Sequence, residues 1–420
     1  MVGKSPLRRY QGGQSVEMYQ VVVVGAGPSG TIAAYELASR GVDVALLEKY
    51  RLPRDKPCGG AVMYRGIHIL GGDLPRRLVE REIYGLRFVL PNGSAPEFSS
   101  ERLIGITTNR AAFDHYLARR AERAGAHLVE GLPVEDVMIE SDRVCALTED
   151  GDEYQSEFLV GADGVNSVVS RSLGLRPQRK DLTRIGLGME ADFAVGEPRV
   201  KEACDGRADI LQIYPQSGKV SYGWVFPKQE HLGIGIAGAG VHMKRLRPDF
   251  DGFVEGLEQR FGFELTPEKR RTYFLGGDGL NSKNVTDRCI LVGDAAGFVD
   301  PMMGEGIAYA MRSGRFAAEV ILDLLRKGRS AEQHLRRYQE KCRKAFSSDF
   351  EMARWAALKG TSFADSVLRQ AAKLNLSCEI MAMLARGEIG YSEIPATVLR
   401  KLPTEIPHLI RDLVYDRVRS

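Results

Sequence analysis

The sequence predicts an α/β fold in which a Rossmann-like domain carries an inserted antiparallel β-sheet domain and is followed by a helical C-terminal region. Three observations predict it. A strand, a glycine-rich turn, a helix and a second strand span residues 20–48, short alternating runs fill residues 185–275, and charged helical sequence follows residue 331. The chain has 420 residues, 44% apolar and 27% charged, and is long enough for two or more globular domains.

Charge and cysteine content narrow the class of protein. The net charge of +3 is spread along the chain, so we expect no nucleic-acid partner. The six cysteines form no CxxC pair and the seven histidines show no ligand spacing, which indicates no metal site and a reducing, cytoplasmic compartment. We expect neither a signal peptide nor a transmembrane segment. The ending HLIRDLVYDRVRS leaves a peripheral membrane contact open, although a helix docked on its own domain is favoured.

The first elements form a βαβ unit. QVVVV (20–24) is typical of a buried parallel strand, TIAAYELASR predicts a helix that ends at Gly41, and VDVALLE (42–48) predicts a second buried strand. Between the first strand and the helix, a GxGxxG motif allows a tight turn, close approach of a pyrophosphate and close helix–strand packing. The free N–H groups of the helix N-terminus attract the same phosphates. The three glycines of this motif are Gly25, Gly27 and Gly30.

Glu48 closes the second strand, where its carboxylate can accept hydrogen bonds from an adenosine ribose. An acid at this position disfavours a 2′-phosphate, so the sequence predicts a dinucleotide other than NADP in this site. Two further loops follow buried strands: GADG (161–164) and GDAAGFVDPMMGEG (293–306). In the second loop, Asp294 ends a strand, and Gly304 and Gly306 precede a helix whose N-terminus would stabilise the negative charge of a reduced flavin.

The remaining sequence sets the domain order. SYGWVFP (221–227) and similar alternating runs predict antiparallel strands, and RCILVGD (288–294) returns the chain to the first domain before a helix over 306–326. Another helix is predicted over 108–125 and another buried strand over 157–162. The predicted boundaries are 1–18 for a disordered extension, 19–84, 101–180 and 276–330 for the dinucleotide-binding domain, 85–100 and 181–275 for the sheet domain, and 331–420 for the helical region.

Four motifs together carry a resemblance to a known family. GAGPSG, PRDKPCGG (53–60), GADG and GDAAGFVDPMMGEGI resemble the flavoprotein superfamily of para-hydroxybenzoate hydroxylase, and within it most closely the geranylgeranyl reductases, over about residues 19–330. The resemblance implies FAD as the cofactor, with Arg110 near its phosphates, Val134 beside adenine and Asp294 on the ribityl side. The FAD-binding residues that it implies are Gly25, Gly27, Gly30, Glu48, Lys49, Cys58, Gly59, Arg110, Val134, Asp294, Gly304, Gly306 and Ile307.

Two features resemble the reductase branch in particular. The PRDKPCGG loop matches one that carries a cysteine close to the flavin, here Cys58, and the following glycines let backbone approach a flat ring. Tyr222, Trp224 and Phe226 match the YxWxFP pattern, and strand alternation places them on one face as an apolar wall for an isoprenoid chain. Related halogenases carry WxWxIP there, so Tyr222 and Phe226 argue against that branch. Ordinary packing is the alternative interpretation of both features.

The predicted function is FAD-dependent reduction of carbon–carbon double bonds in a geranylgeranyl or similar polyprenyl lipid. The candidate catalytic residues are Cys58, Tyr222 and Trp224, and Tyr222, Trp224 and Phe226 would line the substrate. Two alternatives stay open: an FAD-dependent monooxygenase of aromatic substrates, and an electron-carrying flavoprotein without small-molecule turnover. NADPH and ferredoxin both stay open as the electron donor, because the sequence contains no second dinucleotide loop that would select NADPH.

Overall fold

The computed structural model describes residues 8–9, 15–72, 74–175, 185–216, 221–276, 278–301, 303–327, 332–358 and 375–401. Across these residues, strands form three sheets and helices pack around them. The strands are β1 (Arg8–Arg9), β2 (Ser15–Val24), β3 (Val44–Glu48), β4 (Ala61–Met63), β5 (Arg81–Ile83), β6 (Gly85–Phe88), β7 (Glu97–Ser99), β8 (Gly105–Thr107), β9 (His127–Glu130), β10 (Val134–Ile139), β11 (Val144–Thr148), β12 (Glu153–Gly161), β13 (Ile185–Ala194), β14 (Ile210–Pro215), β15 (Ser221–Pro227), β16 (His231–Ala239), β17 (Arg271–Gly276) and β18 (Cys289–Leu291).

The helices alternate with strands in the first half of the chain and dominate its end. They are α1 (Pro28–Ala38), α2 (Tyr64–Ile69), α3 (Arg110–Arg123), α4 (Val168–Ser172), α5 (Glu197–Ala203), α6 (Leu246–Phe261), α7 (Gly293–Ala296), α8 (Ile307–Lys327), α9 (Glu332–Leu358) and α10 (Asn375–Arg386). This order of elements confirms the predicted α/β fold class with its helical C-terminal region.

The first sheet has eight strands and holds the predicted βαβ unit. Its order is β10-β11-β12-β2-β3-β9, with β18 paired to β12 and β1 to β2. The strands β18, β12, β2, β3 and β9 run parallel. Val21 to Val24 are buried, and α1 packs against β2 and its neighbours β3 and β12. β-Branched side chains suit a strand covered on both faces.

The second sheet has seven strands, in the order β17-β13-β16-β15-β14-β6-β7. Most of its pairs are antiparallel, while β14 and β6 run parallel. One face packs on α6, whose Phe250, Val254 and Leu257 enter a separate apolar core. The other face contributes Trp224, which lies directly across from Gly235 on β16. Because Gly235 has no side chain, the indole ring can lie flat on the neighbouring strand.

A third, three-stranded sheet of order β4-β8-β5 was not predicted. Each of its strands has only three residues, too few to show a period of two in the sequence. β4 begins directly after Gly60, so this small sheet fixes the far end of the PRDKPCGG loop.

Several predicted boundaries differ from the structure. The prediction of a disordered extension over 1–18 is wrong at its end: β2 starts at Ser15, and the pair β1–β2 joins Arg8 to Val16. The end of helix α1 agrees with the prediction: its last helical residue is Ala38, and Gly41, with a φ of +80°, caps it by donating its N–H to the Ala38 carbonyl. Asp294 lies in the one-turn helix α7 instead of ending a strand, because β18 stops at Leu291. The domain boundaries stay a prediction, and the ending after residue 401 lies outside the described residues.

We expect Gly235→Ala to destabilise the protein by about 1–3 kcal/mol, because overpacking forces neighbouring side chains out of their preferred rotamers. A Cβ at this position would overlap the Trp224 indole ring. The matched control is Gly256→Ala in α6, where a Cβ meets no atom within 4 Å. That control is expected to stabilise by about 0.5–1 kcal/mol. Urea unfolding measures the free energy of unfolding of both variants. Equal changes in Gly235→Ala and Gly256→Ala would contradict the packing argument.

Candidate active site

A cavity of about 1650 Å³ joins the two larger sheets. Loops that follow strands of the first sheet line one half, and the inserted sheet and α10 line the other. Pockets for a single small molecule usually measure roughly 300–1000 Å³. The cavity therefore has room for a large cofactor and a second ligand beside it.

The GxGxxG turn forms the first end of this cavity. Gly25 has a φ of +105°, and its N–H donates to the Leu47 carbonyl at 2.7 Å. A Cβ on Gly30 would collide with the Gly25 carbonyl oxygen, so these two glycines close the turn. Gly27 has more space than these two glycines, because a Cβ added to it would lie 3.9 Å from its nearest neighbour, Arg54 Nη2. The open side of Gly27 faces the cavity, where a ligand can approach the backbone.

The N-terminus of α1 lies beside this open space. The helix begins at Pro28. Its N-cap residue is Gly27, which has no side chain that could accept a hydrogen bond from the first N–H groups of the helix. Uncapped N–H groups and the positive end of the helix dipole favour an anion such as a phosphate. This geometry fits the pyrophosphate of a dinucleotide.

Glu48 closes the next strand and is fixed by its own neighbours. Its Oε2 accepts from the Ala26 N–H at 2.9 Å and its Oε1 from the Tyr50 N–H at 3.2 Å. Arg54 Nε lies 3.3 Å from Oε1. Glu48 lines the cavity, as do the predicted Lys49 and Val134. Their contacts with FAD stay predictions.

A charged cluster behind the turn includes residues that the sequence analysis missed. Arg110 donates to both Asp114 oxygens at 3.0 and 2.9 Å, and Arg54 Nη1 donates to Asp114 at 2.9 Å. Burial opposes ionisation of Asp114, but the two guanidinium charges outweigh it and hold the pKa of this carboxyl below its ordinary value. Asp114 thus positions Arg54 and Arg110 at the cavity. The i,i+4 spacing of Arg110 and Asp114 on α3 was the available signal.

Lys56 and Asp294 extend this cluster toward the second glycine loop. Burial lowers the pKa of the Lys56 ammonium group, and the nearby Asp294 carboxylate opposes that shift. Both residues line the cavity. Both residues belong to loops that the sequence analysis placed at the site, PRDKPCGG and GDAAGFVDPMMGEG.

The aromatic row of β15 joins two of the predicted cofactor loops. Ring centroids lie 5.9 Å apart from Tyr222 to Trp224 and 5.9 Å apart from Trp224 to Phe226, so the three share a face, as alternation predicted. Tyr222 donates its O–H to the Met303 carbonyl at 2.7 Å. At the other end, a Cβ on Gly59 would lie only 2.7 Å from Phe226 and 2.8 Å from Trp224. The row therefore spans from the Met303 loop to the Cys58 loop.

Trp224 shows that this wall is not purely apolar. The residue is 4% exposed, and its indole N–H has no hydrogen-bond partner among the described residues. A buried donor without a partner costs free energy of about 1–3 kcal/mol, which a ligand acceptor at this point recovers. Three features together fit a cofactor with phosphates at one end and polar ring atoms at the other. They are the open space at Gly27, the uncapped N-terminus of α1 and the Trp224 indole N–H.

The second glycine loop lies against the same wall. Gly304 has a φ of +66°, and a Cβ there would collide with the Tyr222 hydroxyl. Gly306 and Ile307 follow at the start of α8 and line the cavity. Glu305, between Gly304 and Gly306, is held by Arg65, whose Nε lies 3.1 Å from Glu305 Oε1. The predicted flavin-edge segment thus lines the cavity beside Tyr222, and its contact with flavin stays a prediction.

Cys58 is half-buried at the cavity between charged groups. Its backbone N–H donates to Glu190 Oε1 at 2.8 Å. The Arg110 guanidinium interacts with the Cys58 sulfur. Glu190 was not predicted, because an isolated acid on a strand belongs to no motif.

The other half of the cavity is apolar. Neighbouring strands of the inserted sheet contribute one wall, and the helical region contributes the opposite one. The apolar lining residues are Leu86, Phe88, Leu211, Ile213, Ala237, Met381, Leu384, Ala385 and Ile394.

No helix within the described ranges is both long and apolar enough to cross a membrane.

Comparisons with known proteins agree with this geometry. The family described as an FAD binding domain matches residues 18–78 and 96–351. A digeranylgeranylglycerophospholipid reductase of Methanopyrus kandleri is 31% identical over 362 residues, which cover 81% of this chain and 90% of that protein.

Solved structures share the fold. A geranylgeranyl bacteriochlorophyll reductase-like protein of Thermoplasma acidophilum superposes with a TM-score of 0.76 at 23% identity, over 92% of this chain and 99% of the other. A flavin-dependent brominase superposes with a TM-score of 0.72 at 19% identity, over 96% and 99%. At such identities these two likenesses concern the fold alone.

We expect Gly27→Ala to weaken FAD binding at least about tenfold, or roughly 1.4 kcal/mol, without destabilising the apoprotein. The new methyl group finds space in the protein but occupies the side from which the pyrophosphate approaches. Flavin fluorescence titration and urea unfolding of the apoprotein measure the two effects. Gly252→Ala, at another position with no atom within 4 Å of the Cβ, is the control. Unchanged FAD affinity would contradict the assignment of this turn.

Proposed function

Because the chain belongs to the FAD binding domain family, and within it to the geranylgeranyl reductase-like FAD-dependent oxidoreductases, we propose that it saturates carbon–carbon double bonds of a geranylgeranyl or similar polyprenyl lipid. The single observation that carries this proposal is the two-part cavity. Its polar half fits FAD, and its apolar half is bounded by the inserted sheet and α10.

The bound flavin would supply a hydride to one alkene carbon, while a proton reaches the other carbon. An unactivated alkene is a poor hydride acceptor, so the protein must align the chain and exclude water. Buried apolar side chains on both walls, including Leu211 and Ala385, support that role. Trp224 and Phe226 lie where the apolar half meets the Cys58 loop. They would orient the isoprenoid chain against the flavin.

The FAD-binding roles follow from the loops around the polar half. Gly25, Gly27 and Gly30 would receive the pyrophosphate, and Glu48 the ribose. Arg54 and Arg110, both held by Asp114, provide positive charge for the phosphates.

The direct test is anaerobic turnover. The FAD-loaded protein is reduced with dithionite and incubated with geranylgeranyl diphosphate, a digeranylgeranyl glycerophospholipid and a geranylgeranyl-chain quinone. Mass spectrometry should detect products that have gained pairs of hydrogen atoms. No hydrogen gain with any of these lipids, together with hydroxylated aromatic products in air, would favour a monooxygenase. Rapid electron transfer to a protein acceptor without either product would favour an electron carrier.

We expect Ala385→Phe to lower kcat/KM for a geranylgeranyl substrate about tenfold or more, with FAD content unchanged. Ala385 lies on α10 in the apolar wall and is 6% exposed, so a phenyl ring there fills space needed by the chain. A geranyl compound with half the chain length serves as the internal control and should be affected less. Equal losses for both lengths would contradict the position of the lipid.

A further inference from the structure

The predicted flavin-edge segment carries a two-pronged ion pair to which the proposed function assigns no role. Glu305 lies between Gly304 and Gly306, and Arg65 on α2 binds it across 240 positions of sequence. Arg65 Nε lies 3.1 Å from Glu305 Oε1, and its Nη2 donates to Glu305 Oε2. The two side chains are 19% and 11% exposed, and both residues line the cavity. The pair therefore lies at the site and is largely shielded from bulk water.

Packing fixes Arg65 in addition to this ion pair. Its guanidinium lies 4.7 Å from the centroid of the Tyr309 ring, which packs edge-on against Phe350 of α9 at 5.0 Å between centroids. A Cβ on Gly387, the residue after α10, would lie 2.8 Å from Arg65 Cβ. One side chain thus contacts the flavin-edge segment, the first turn of α8 and the end of the helix that bounds the apolar half.

The charge of Arg65 is balanced chiefly by Glu305. Burial opposes that charge, but the Glu305 carboxylate outweighs it and holds the pKa of the guanidinium above its ordinary value. Asp349 of α9 and Arg312 of α8 also face Arg65, with opposite charges. Asp349 accepts a hydrogen bond from the Tyr391 backbone N–H. The pair of Arg65 and Glu305 is therefore close to neutral as a unit.

Neutrality matters at the N-terminus of α8. The positive end of a helix dipole favours the negative charge of a reduced flavin, whereas an unbalanced Glu305 carboxylate at the same place would disfavour it. Arg65 offsets that carboxylate through direct contact with both of its oxygens. The helix end can then act on the cofactor without an opposing charge beside it.

We propose that Arg65 is a positioning residue, which holds the flavin-edge segment through Glu305 and neutralises that carboxylate so that α8 can stabilise the reduced cofactor. This inference rests on the proposed function, in particular on a flavin that lies beside Gly306. Arg65 takes part in no bond-making step. It instead sets how strongly the protein prefers reduced FAD over oxidised FAD, and this preference determines the reduction potential.

The test is a redox titration of the FAD-loaded protein, which needs no lipid. Wild type, Glu305→Gln, Arg65→Met and the double variant are titrated anaerobically at pH 8 with xanthine oxidase and a reference dye. Glu305→Gln leaves the permanent Arg65 charge unbalanced, so reduced FAD should gain about tenfold in binding relative to oxidised FAD. For a two-electron couple, this change raises the potential by about 30 mV. Arg65→Met should lower the potential by a similar amount, and the double variant should return close to wild type.

Arg65→Lys separates charge from geometry. Lysine keeps the positive charge but cannot make the two-pronged contact, so the affinity for oxidised FAD should fall at least about threefold while the potential stays close to that of wild type. Arg336→Met is the matched control. Arg336 is 64% exposed and pairs with Glu332 on α9. Its removal should change neither the potential nor the FAD affinity.

Unchanged potentials in Glu305→Gln and Arg65→Met would overturn the proposal. Shifts of the same sign in both would also overturn it, because they indicate only a loosened segment. If Arg65→Met does not retain FAD, the Glu305→Gln potential decides: a rise supports the proposal and no rise overturns it. If wild type reduces no lipid but the two variants shift in opposite directions, the proposed function fails and the role of Arg65 stands. A wild-type protein that binds no FAD would overturn both.

Discussion

The contact of the β15 aromatic row with two separate loops is the constraint on which the site depends. Tyr222 is hydrogen-bonded to the Met303 carbonyl, and Phe226 lies against Gly59. Each of these loops belongs to a different part of the chain. The inserted sheet therefore forms part of the cavity that both loops line, and Gly59 and Gly304 leave room where its aromatic rings meet loop backbone.

Electrostatic balance is the second organising feature. Asp114 and Glu48 compensate Arg54 and Arg110 at the polar end, so the cavity presents positive charge without leaving it unpaired. Cys58 likewise contacts groups of both signs, because Arg110 interacts with its sulfur and Glu190 accepts from its N–H. The two arrangements share Arg110, which links the Asp114 cluster to the Cys58 loop.

Local patterns predicted much of this molecule. The βαβ unit, the glycine spacing and the alternation of Tyr222, Trp224 and Phe226 depend on neighbouring residues, and the structure has them in the expected places. Glu190 could not be found in this way, because its partner is distant in sequence. The three-residue strands of the small sheet gave no periodic signal, and the cavity wall formed by α10 arises from tertiary packing of a tail without motifs.

Helix α10 has a consequence for how such proteins diversify. It borders the apolar half of the cavity, while every glycine loop of the polar half precedes it in the chain by more than sixty residues. Substitutions in this late helix can reshape the depth and width of the apolar half without altering the glycine loops. If that half holds the lipid, as proposed, selection for a new hydrophobic substrate can act on the C-terminal helix while the upstream loops are inherited intact.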